Sequence, residues 1–132
     1  MAGYSKKSLA DKLGMKSDMS IVPLNAPKDY SSWLGILAPR FQKPRAGRAD
    51  FVHLFATSLV QLDEYMPMAR KAIKADGMIW VSWHKKSSGV PTDVVENLVR
   101  DRALATDLVD IKVCAVTEEW SGLKLVVRRQ LR

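Results

Sequence analysis

The sequence has few of the residues and segments that would indicate an enzymatic reaction or a cellular location. It has one cysteine, Cys114, and two histidines, so it cannot form an intramolecular disulfide and does not supply a set of metal ligands. No apolar run approaches the roughly 20 residues needed to cross a bilayer. Segment 1–16 carries lysines without the apolar core of a secretory signal. These absences predict a cytoplasmic protein with no metal and no membrane segment.

Length and composition indicate one ordinary globular domain. The chain has 132 residues, of which 47% are hydrophobic and 27% are charged. A chain of that size buries most of the surface that its unfolded state exposes. No internal repeat or low-complexity tract interrupts it. We expect a single domain that spans residues 1–132.

Acidic residues are scarce relative to basic ones. The chain has 14 Asp and Glu against 21 Lys and Arg, which gives a net charge of +7. The basic residues cluster in segments 40–48, 84–86 and 124–132. Such clusters attract phosphate, nucleic acid or acidic partners. The alternative is a solvated basic surface, and composition leaves both open.

Apolar residues recur with helical and strand periodicity in alternation along the chain. The predicted helices are 5–14, 30–37, 58–77 and one that begins at 91–93. The predicted strands are 20–24, 50–57, 78–83, 108–116 and 123–131. Segment 38–48 is predicted to be a loop, because it holds two prolines and a glycine. Segment 117–122 is the turn between the last two strands.

Several local signals set the ends of the longer elements. Ser58 is a predicted N-cap, and Asp76–Gly77 is a predicted helix stop. Pro67 falls inside the helical pattern, so that helix is kinked or made of two short pieces. Asp93 and Glu96 have the spacing of a capping box.

Strands that alternate with helices form right-handed crossovers and a parallel sheet. Pro23 has no N–H for a sheet ladder, which places it near a sheet edge or at the end of its strand. The last two strands are predicted to form an antiparallel hairpin. The sequence therefore predicts an α/β fold with a mostly parallel, Rossmann-like sheet, flanking helices and a C-terminal antiparallel hairpin.

This layout resembles the back half of class I methyltransferases. Asp50 opens a strand that is followed by a helix, and Gly77 leads into the next strand. One more helix and an antiparallel hairpin complete the sheet. The resemblance covers roughly the last two-thirds of the chain, and it implies a truncated form of that fold.

The chain departs from these methyltransferases where they hold adenosylmethionine. Their first strand ends in a glycine-rich turn, because the backbone must approach the cofactor closely. This chain has Asn25-Ala26-Pro27 there. Their next strand ends in an acid for the ribose hydroxyls, whereas here a short helix and a basic loop lead straight to Asp50. We therefore expect no bound cofactor and a non-catalytic protein rather than a methyltransferase.

The whole chain also resembles a bacterial family of small proteins of about this length, known only as a domain of unknown function. The stretches that carry this resemblance are 8–14, 24–27, 50–55, 80–83 and 113–124. The resemblance implies a degenerate class I methyltransferase fold and supplies no activity.

Ligands of open α/β sheets bind beyond the carboxyl ends of the strands. There, loop 84–89 combines positive charge, hydroxyls and a glycine close to a helix start. It is a candidate phosphate or carboxylate site, although it lacks P-loop spacing. The predicted ligand-binding residues are Asn25, Trp83, Lys85, Lys86, Ser88 and Asp93.

Other chemistry-bearing residues have simpler explanations, and no catalytic residue is identified. His53 lies between apolar neighbours and is predicted to be a hydrogen-bonded core residue, whereas His84 is predicted to face solvent. Cys114 is expected to pack as a small hydrophobe. Glu118–Glu119 is expected at a solvated hairpin tip. Trp120 is expected to pack in the core or the hairpin, or to line a pocket.

Three functional hypotheses remain. The first is a non-catalytic Rossmann-like protein that binds a small anionic ligand or a protein partner. The second is electrostatic nucleic-acid binding through segment 40–48 and the basic C-terminus, without a helix-turn-helix, zinc-finger or RNA-recognition signature. The third is an enzyme with an unrecognised site. The oligomeric state is left open.

Overall fold

Helices and strands alternate along the computed structural model, which describes residues 8–132. The strands are β1 (Ile21–Leu24), β2 (Ala49–Phe55), β3 (Ile73–His84), β4 (Leu108–Ala115) and β5 (Trp120–Val127). The α-helices are α1 (Leu9–Leu13), α2 (Tyr30–Leu34), α3 (Leu59–Ala72) and α4 (Glu96–Leu104). Short 3-10 turns span Gly35–Arg40, Lys86–Ser88 and Arg129–Leu131. No helix in this part of the chain is long and apolar enough to cross a membrane.

The five strands form one sheet in the order β1-β2-β3-β5-β4. β1, β2 and β3 are parallel neighbours, and β5 lies antiparallel between β3 and β4. The predicted α/β class, the mostly parallel sheet and the closing hairpin are confirmed. β1 is an edge strand, as Pro23 predicted.

The two faces of the sheet have different covers. Helices α3 and α4, of 14 and 9 residues, pack on what we call the α3–α4 face. Helices α1 and α2, of five residues each, pack on the α1–α2 face. The core of the α3–α4 face is largely aliphatic, whereas Tyr30, Phe51, Phe55, Trp80 and Trp120 are buried on the α1–α2 face.

The helix stop predicted at 76–77 is wrong. α3 ends at Ala72, and β3 begins at the next residue and runs through Gly77. A Cβ on Gly77 would lie 3.0 Å from the Ala49 carbonyl oxygen and 3.2 Å from that of Asp50. The glycine therefore permits a close approach of β2 and β3, where the register of the two strands shifts.

The predicted capping box is also wrong. α4 begins at Glu96 after Val95, which makes no side-chain cap. Asp93 Oδ1 instead accepts a hydrogen bond from the Leu59 backbone N–H at 2.8 Å, at the start of α3. Ser58 caps the same helix, as predicted. The carboxylate therefore satisfies a helix N-terminus that lies far from it in sequence.

Three other boundaries differ from the prediction. The second helix ends at Leu34 and continues as a 3-10 turn, because Gly35 takes a left-handed φ of 52°. α3 is continuous through Pro67, which excludes the two-piece alternative. β5 begins at Trp120 and ends at Val127, both earlier than predicted. The first helix is described from its Ser8 cap onward, so the predicted start at 5–7 lies outside the described residues.

Candidate functional site

A groove of about 440 Å³ opens at the carboxyl end of the parallel strands. It lies between α2 and the tip of the β4–β5 hairpin. The residues that line it are Pro27, Asp29, Trp33, His84, Thr117, Glu118, Glu119 and Trp120. This is the edge where open α/β sheets bind their ligands.

Two tryptophans form the apolar part of the groove. The Trp33 and Trp120 rings both contact the buried Phe55 ring, at centroid distances of 6.0 and 4.9 Å. Trp33 Nε1 donates a hydrogen bond to Asp29 Oδ2 at 3.2 Å. The His84 ring stacks on Trp120, with 3.9 Å between centroids. These contacts hold both indoles in defined orientations.

The polar part of the groove is acidic. Asp29, Glu118 and Glu119 are exposed. Within residues 8–132, none of these carboxylates has a basic side chain within 4.0 Å. His84 Nδ1 is buried and has no hydrogen-bond partner in the same part of the chain. The groove therefore combines aromatic surface with negative charge.

A buried hydrogen-bonded chain of side chains lies on the same face of the sheet. Tyr30 Oη is 2.9 Å from His53 Nδ1, and His53 Nε2 is 2.8 Å from Ser82 Oγ. Burial lowers the pKa of His53 to about 3, and it raises the pKa of Tyr30. All three side chains are shielded from solvent, so the serine and histidine cannot reach a substrate. His53 is the hydrogen-bonded core residue that the sequence predicted.

The turn after β1 keeps a backbone conformation that glycine usually supplies. Asn25 has a left-handed φ of 57°, which asparagine tolerates better than most residues. Its Nδ2 donates to the Phe55 carbonyl at 2.8 Å and to Gln61 Oε1 at 3.0 Å. Gln61 Oε1 also accepts from the N–H and hydroxyl of Thr57, both at 2.8 Å. These polar groups bond to one another at the ends of β1 and β2.

The other predicted ligand-binding residues lie in separate places. Trp83 is buried in the core of the α3–α4 face, and Asp93 bonds to α3. Ser88 Oγ donates to the Lys85 carbonyl at 2.7 Å, and Lys86 is exposed. None of the six predicted residues lines the groove described above, and their binding of a ligand stays a prediction.

The basic segments predicted to bind nucleic acid lie at the opposite end of the sheet. The N–H of Arg48 donates to the Ala72 carbonyl, just before β2 begins. The basic C-terminus follows Val127, the last residue of β5. Because β5 runs antiparallel to β3, its end lies where the parallel strands start. The acidic groove and these basic segments are therefore at opposite edges.

Sequence reasoning gave a pocket as one alternative for Trp120 and missed most of the other residues that line the groove. The Glu118–Glu119 pair is exposed at the hairpin tip, as predicted, but the sequence did not indicate that it borders a groove. The sequence signal that the pair shares with Asp29 is that each follows the carboxyl end of a strand or precedes a hairpin return. His84 is half-buried rather than fully solvent-facing. No group of metal-ligating side chains is present among residues 8–132.

Comparison with solved structures identifies the fold. The chain superposes on a tRNA methyltransferase of B. subtilis with a TM-score of 0.55 at 8% identity, covering 92% of this chain and 65% of that one. It superposes on fibrillarin of Methanococcus jannaschii, a pre-rRNA processing protein, with a TM-score of 0.55 at 12% identity, covering 96% of this chain and 71% of that one. It superposes on a ribosomal protein methylase of Lactobacillus delbrueckii with a TM-score of 0.51 at 14% identity, covering 92% of this chain and 64% of that one.

Neither a family model nor a curated protein matches the sequence, so the resemblance to a small bacterial family stays a prediction. The chain spans about two thirds of the length of the methyltransferases described above. At such low identities the likeness is one of fold alone. The protein has the Rossmann-like α/β fold of class I methyltransferases.

Proposed function

We propose that this protein is a non-catalytic binding protein on a methyltransferase-like fold, and that its groove takes a small organic cation. The observation that carries the proposal is the pairing of two indoles with three carboxylates around one open cavity. Aromatic faces attract cations, most strongly when the cation is a quaternary ammonium group. The carboxylates add a favourable Coulomb interaction with the same charge.

The sheet edge supports the absence of methyl transfer. β1 is the edge strand. Between β1 and β2 lie α2, a 3-10 turn and a single-residue parallel bridge from Phe41 to Ile21, on the outer side of β1. No strand of residues 8–132 lies beyond β1 to carry the ribose-binding acid that methyltransferases place there. The resemblance to small bacterial proteins with a degenerate methyltransferase fold supports the same view, and we propose a cytoplasmic member of that family.

The ligand class is tested with a charged probe and its uncharged isostere. Choline and 3,3-dimethyl-1-butanol have the same shape and differ in the charge of the central atom. We expect choline to bind, and the alcohol to bind about tenfold more weakly, because cation–π and Coulomb terms act only on choline. Titration calorimetry measures both affinities. Equal affinities would overturn the cation proposal.

A matched pair of variants locates the charge effect. Glu118→Gln with Glu119→Gln removes two negative charges from the groove, and we expect choline affinity to fall about tenfold. Glu64→Gln with Asp101→Asn removes two exposed charges from α3 and α4 and should leave that affinity unchanged. An equal loss in both double variants would show a general effect of net charge and would overturn the groove assignment.

Thermal melting tests the non-catalytic part of the proposal. A ligand at about 100 times its dissociation constant adds about 2.7 kcal/mol to the free energy of unfolding, which shifts the melting temperature by several degrees in a domain of this size. We expect neither adenosylmethionine nor its demethylated product to produce such a shift. A shift of that size with both compounds would make a methyltransferase the better interpretation.

A further inference from the structure

Two lysines face each other across the hairpin on the α1–α2 face. Lys112 of β4 is directly opposite Lys124 of β5, and Lys124 is directly opposite Trp80 of β3. Lys112 Nζ lies 6.0 Å from the centroid of the Trp80 ring, which places both lysines on this face. Like charges directly opposite one another destabilise a strand pair. Burial, and then the charge of Lys112, lower the pKa of Lys124.

Two more lysines converge on the same surface. Trp80 Nε1 donates to the Leu13 carbonyl at 2.8 Å, which holds the end of α1, and with it Lys12, beside the hairpin. The N–H of Lys85 donates to the Glu119 carbonyl at 2.8 Å and ties the end of β3 to the hairpin tip.

Cys114 lies two residues beyond Lys112 on β4 and packs against the core of the same face. Burial raises the pKa of its thiol, while the charges of Lys12, Lys112 and Lys85 oppose the rise. We call the four residues Lys12, Lys85, Lys112 and Lys124 the lysine face.

Among the described residues, the lysine face makes no ion pair, a property that it shares with the basic segment 40–48 but not with the basic residues of α3, β3 and α4. Four basic residues elsewhere make ion pairs, namely Arg70, Lys74, Arg100 and Arg102. Between residues 8 and 132, no carboxylate lies within 4.0 Å of any lysine of the lysine face. Two of these charges, those of Lys112 and Lys124, therefore lie directly opposite one another on the hairpin without a neutralising acid, an arrangement that destabilises a strand pair.

We propose that the lysine face binds the phosphate backbone of nucleic acid. The charges are spread over a helix, two strands and a loop, so they match a chain of phosphates better than one small anion. Lysine ammonium groups are mobile point charges that contact phosphates without fixed geometry. Trp80 is fully buried and offers no ring for base stacking. Binding should therefore depend on the phosphate charges and not on the base sequence.

The salt dependence of binding tests this proposal. The probe is a fluorescent 20-nucleotide single strand of mixed sequence, titrated between 50 and 200 mM salt. Each phosphate contact on a single strand contributes a slope of about −0.7 in log affinity against log salt, so four contacts give about −3. Lys112→Gln with Lys124→Gln should reduce the magnitude of that slope by about 1.4. The absence of binding at 50 mM salt would overturn the proposal.

A control of equal charge separates the lysine face from net charge. Arg45→Gln with Arg48→Gln removes two exposed charges from the basic loop at the other end of the sheet and should leave the slope unchanged. An equal reduction in both variants would overturn the assignment, as would binding to vesicles of anionic phospholipid without binding to the oligonucleotide.

Stability and groove binding provide two further readouts. We expect the melting temperature of the Lys112→Gln, Lys124→Gln variant to stay the same or to rise, because the substitutions remove a repulsion. A clear fall would mean that the lysines stabilise the fold, which contradicts the premise. Choline binding at the groove should be unchanged in this variant, so failure of one proposal is distinguishable from failure of the other.

Discussion

The α3–α4 face and the α1–α2 face of the sheet differ both in what covers them and in what they contain. Two longer helices cover the first, and its core is built largely of Leu, Val, Ile and Ala side chains. Two five-residue helices lie on the second, whose core holds the large aromatic rings and the Tyr30–His53–Ser82 chain. Both proposed binding surfaces, the groove and the lysine face, use side chains of the second face.

This difference shows where a small domain can place function. An aliphatic core under long helices is stabilised mainly by burial, and its buried side chains offer no charged group to a ligand. Short helices bury less, so the α1–α2 face relies on aromatic packing and on specific hydrogen bonds, and part of it stays open. The features that cost stability, opposed lysines and closely placed carboxylates, are found on this face.

The largest effect should come from removing the central ring of the α1–α2 face. Trp80 is fully buried, and a Cβ on Gly122 would lie 3.0 Å from its Cε3, so the ring rests directly on β5. We expect Trp80→Ala to lower the free energy of unfolding by about 3–5 kcal/mol, because of lost burial and a residual cavity. Chemical denaturation measures the loss.

Hydrogen exchange at α1 shows whether the ring also anchors that helix. Trp80→Ala removes the bond to the Leu13 carbonyl and should increase amide exchange in α1. Leu62→Ala, a fully buried position on the α3–α4 face, should destabilise the protein by about 2–5 kcal/mol without a selective effect on α1. Equal exchange of α1 in the two variants would contradict the dependence of the short helix on one side chain.

The buried histidine should make stability depend on pH. Burial lowers the pKa of His53 to about 3 in the folded state, below the value of about 6.5 in an unfolded chain. The unfolded state therefore binds a proton that the folded state does not, and stability is lost as pH falls from 6.5 towards 3. We expect the free energy of unfolding to decrease by about 2 kcal/mol between pH 7 and pH 5.

The control for this prediction is His53→Gln, which has no titrating group at that position. Its free energy of unfolding should vary less between pH 7 and pH 5 than that of the parent protein, whatever its absolute stability. If the two proteins have the same pH dependence in that range, His53 is not the source of the change.

The order of elements and the sheet class were predictable because they depend on local periodicity. The strand around Phe51 is apolar on both faces and the helix after Ser58 has one apolar stripe, so each pattern identifies its element without tertiary information. Gly77 was misread because a glycine that stops a helix and one that allows two strands to approach look alike in sequence. Asp93 was misread because its partner, Leu59, is 34 residues away.

The groove was less predictable because it is assembled from distant segments. Trp33 and Trp120 are brought together by Phe55, which belongs to a third segment. The pairing of Lys112 with Lys124 depends on a register shift near Asp110, which periodicity does not show. The strand-end signal placed Trp120 at the correct edge, although the same signal also selected Trp83, which is buried in the core of the α3–α4 face.

A smaller effect is expected from the N-cap of α3. Ser58 Oγ accepts from the Gln61 N–H at 3.2 Å, and loss of such a cap costs about 1 kcal/mol. We expect Ser58→Ala to lower the free energy of unfolding by about that amount. Ser8→Ala removes the matching cap of α1 and should cost less, because a five-residue helix contributes less to the cooperative core. If Ser8→Ala lowered the free energy of unfolding more than Ser58→Ala, the α1–α2 face and not the α3–α4 face would depend more on its helix caps.

The smallest effect should come from the ion pair between Arg70 of α3 and Asp107, which precedes β4. The guanidinium makes two bonds to the carboxylate, at 2.8 and 2.7 Å, but both side chains keep about a third of their exposure. Water screens a pair in that position, so we expect a coupling of about 0.5 kcal/mol in a double-mutant cycle with Arg70→Gln and Asp107→Asn.

The pH and salt dependence of that coupling follow from the same exposure. The hydrogen bonds from Arg70 lower the pKa of Asp107, so the stabilisation is present at neutral pH and is lost as pH falls through the depressed value, below 3.8. It should also shrink in 1 M salt. A coupling above about 2 kcal/mol that resists salt would mean that a charged pair, and not aliphatic burial, holds this edge of the α3–α4 face together.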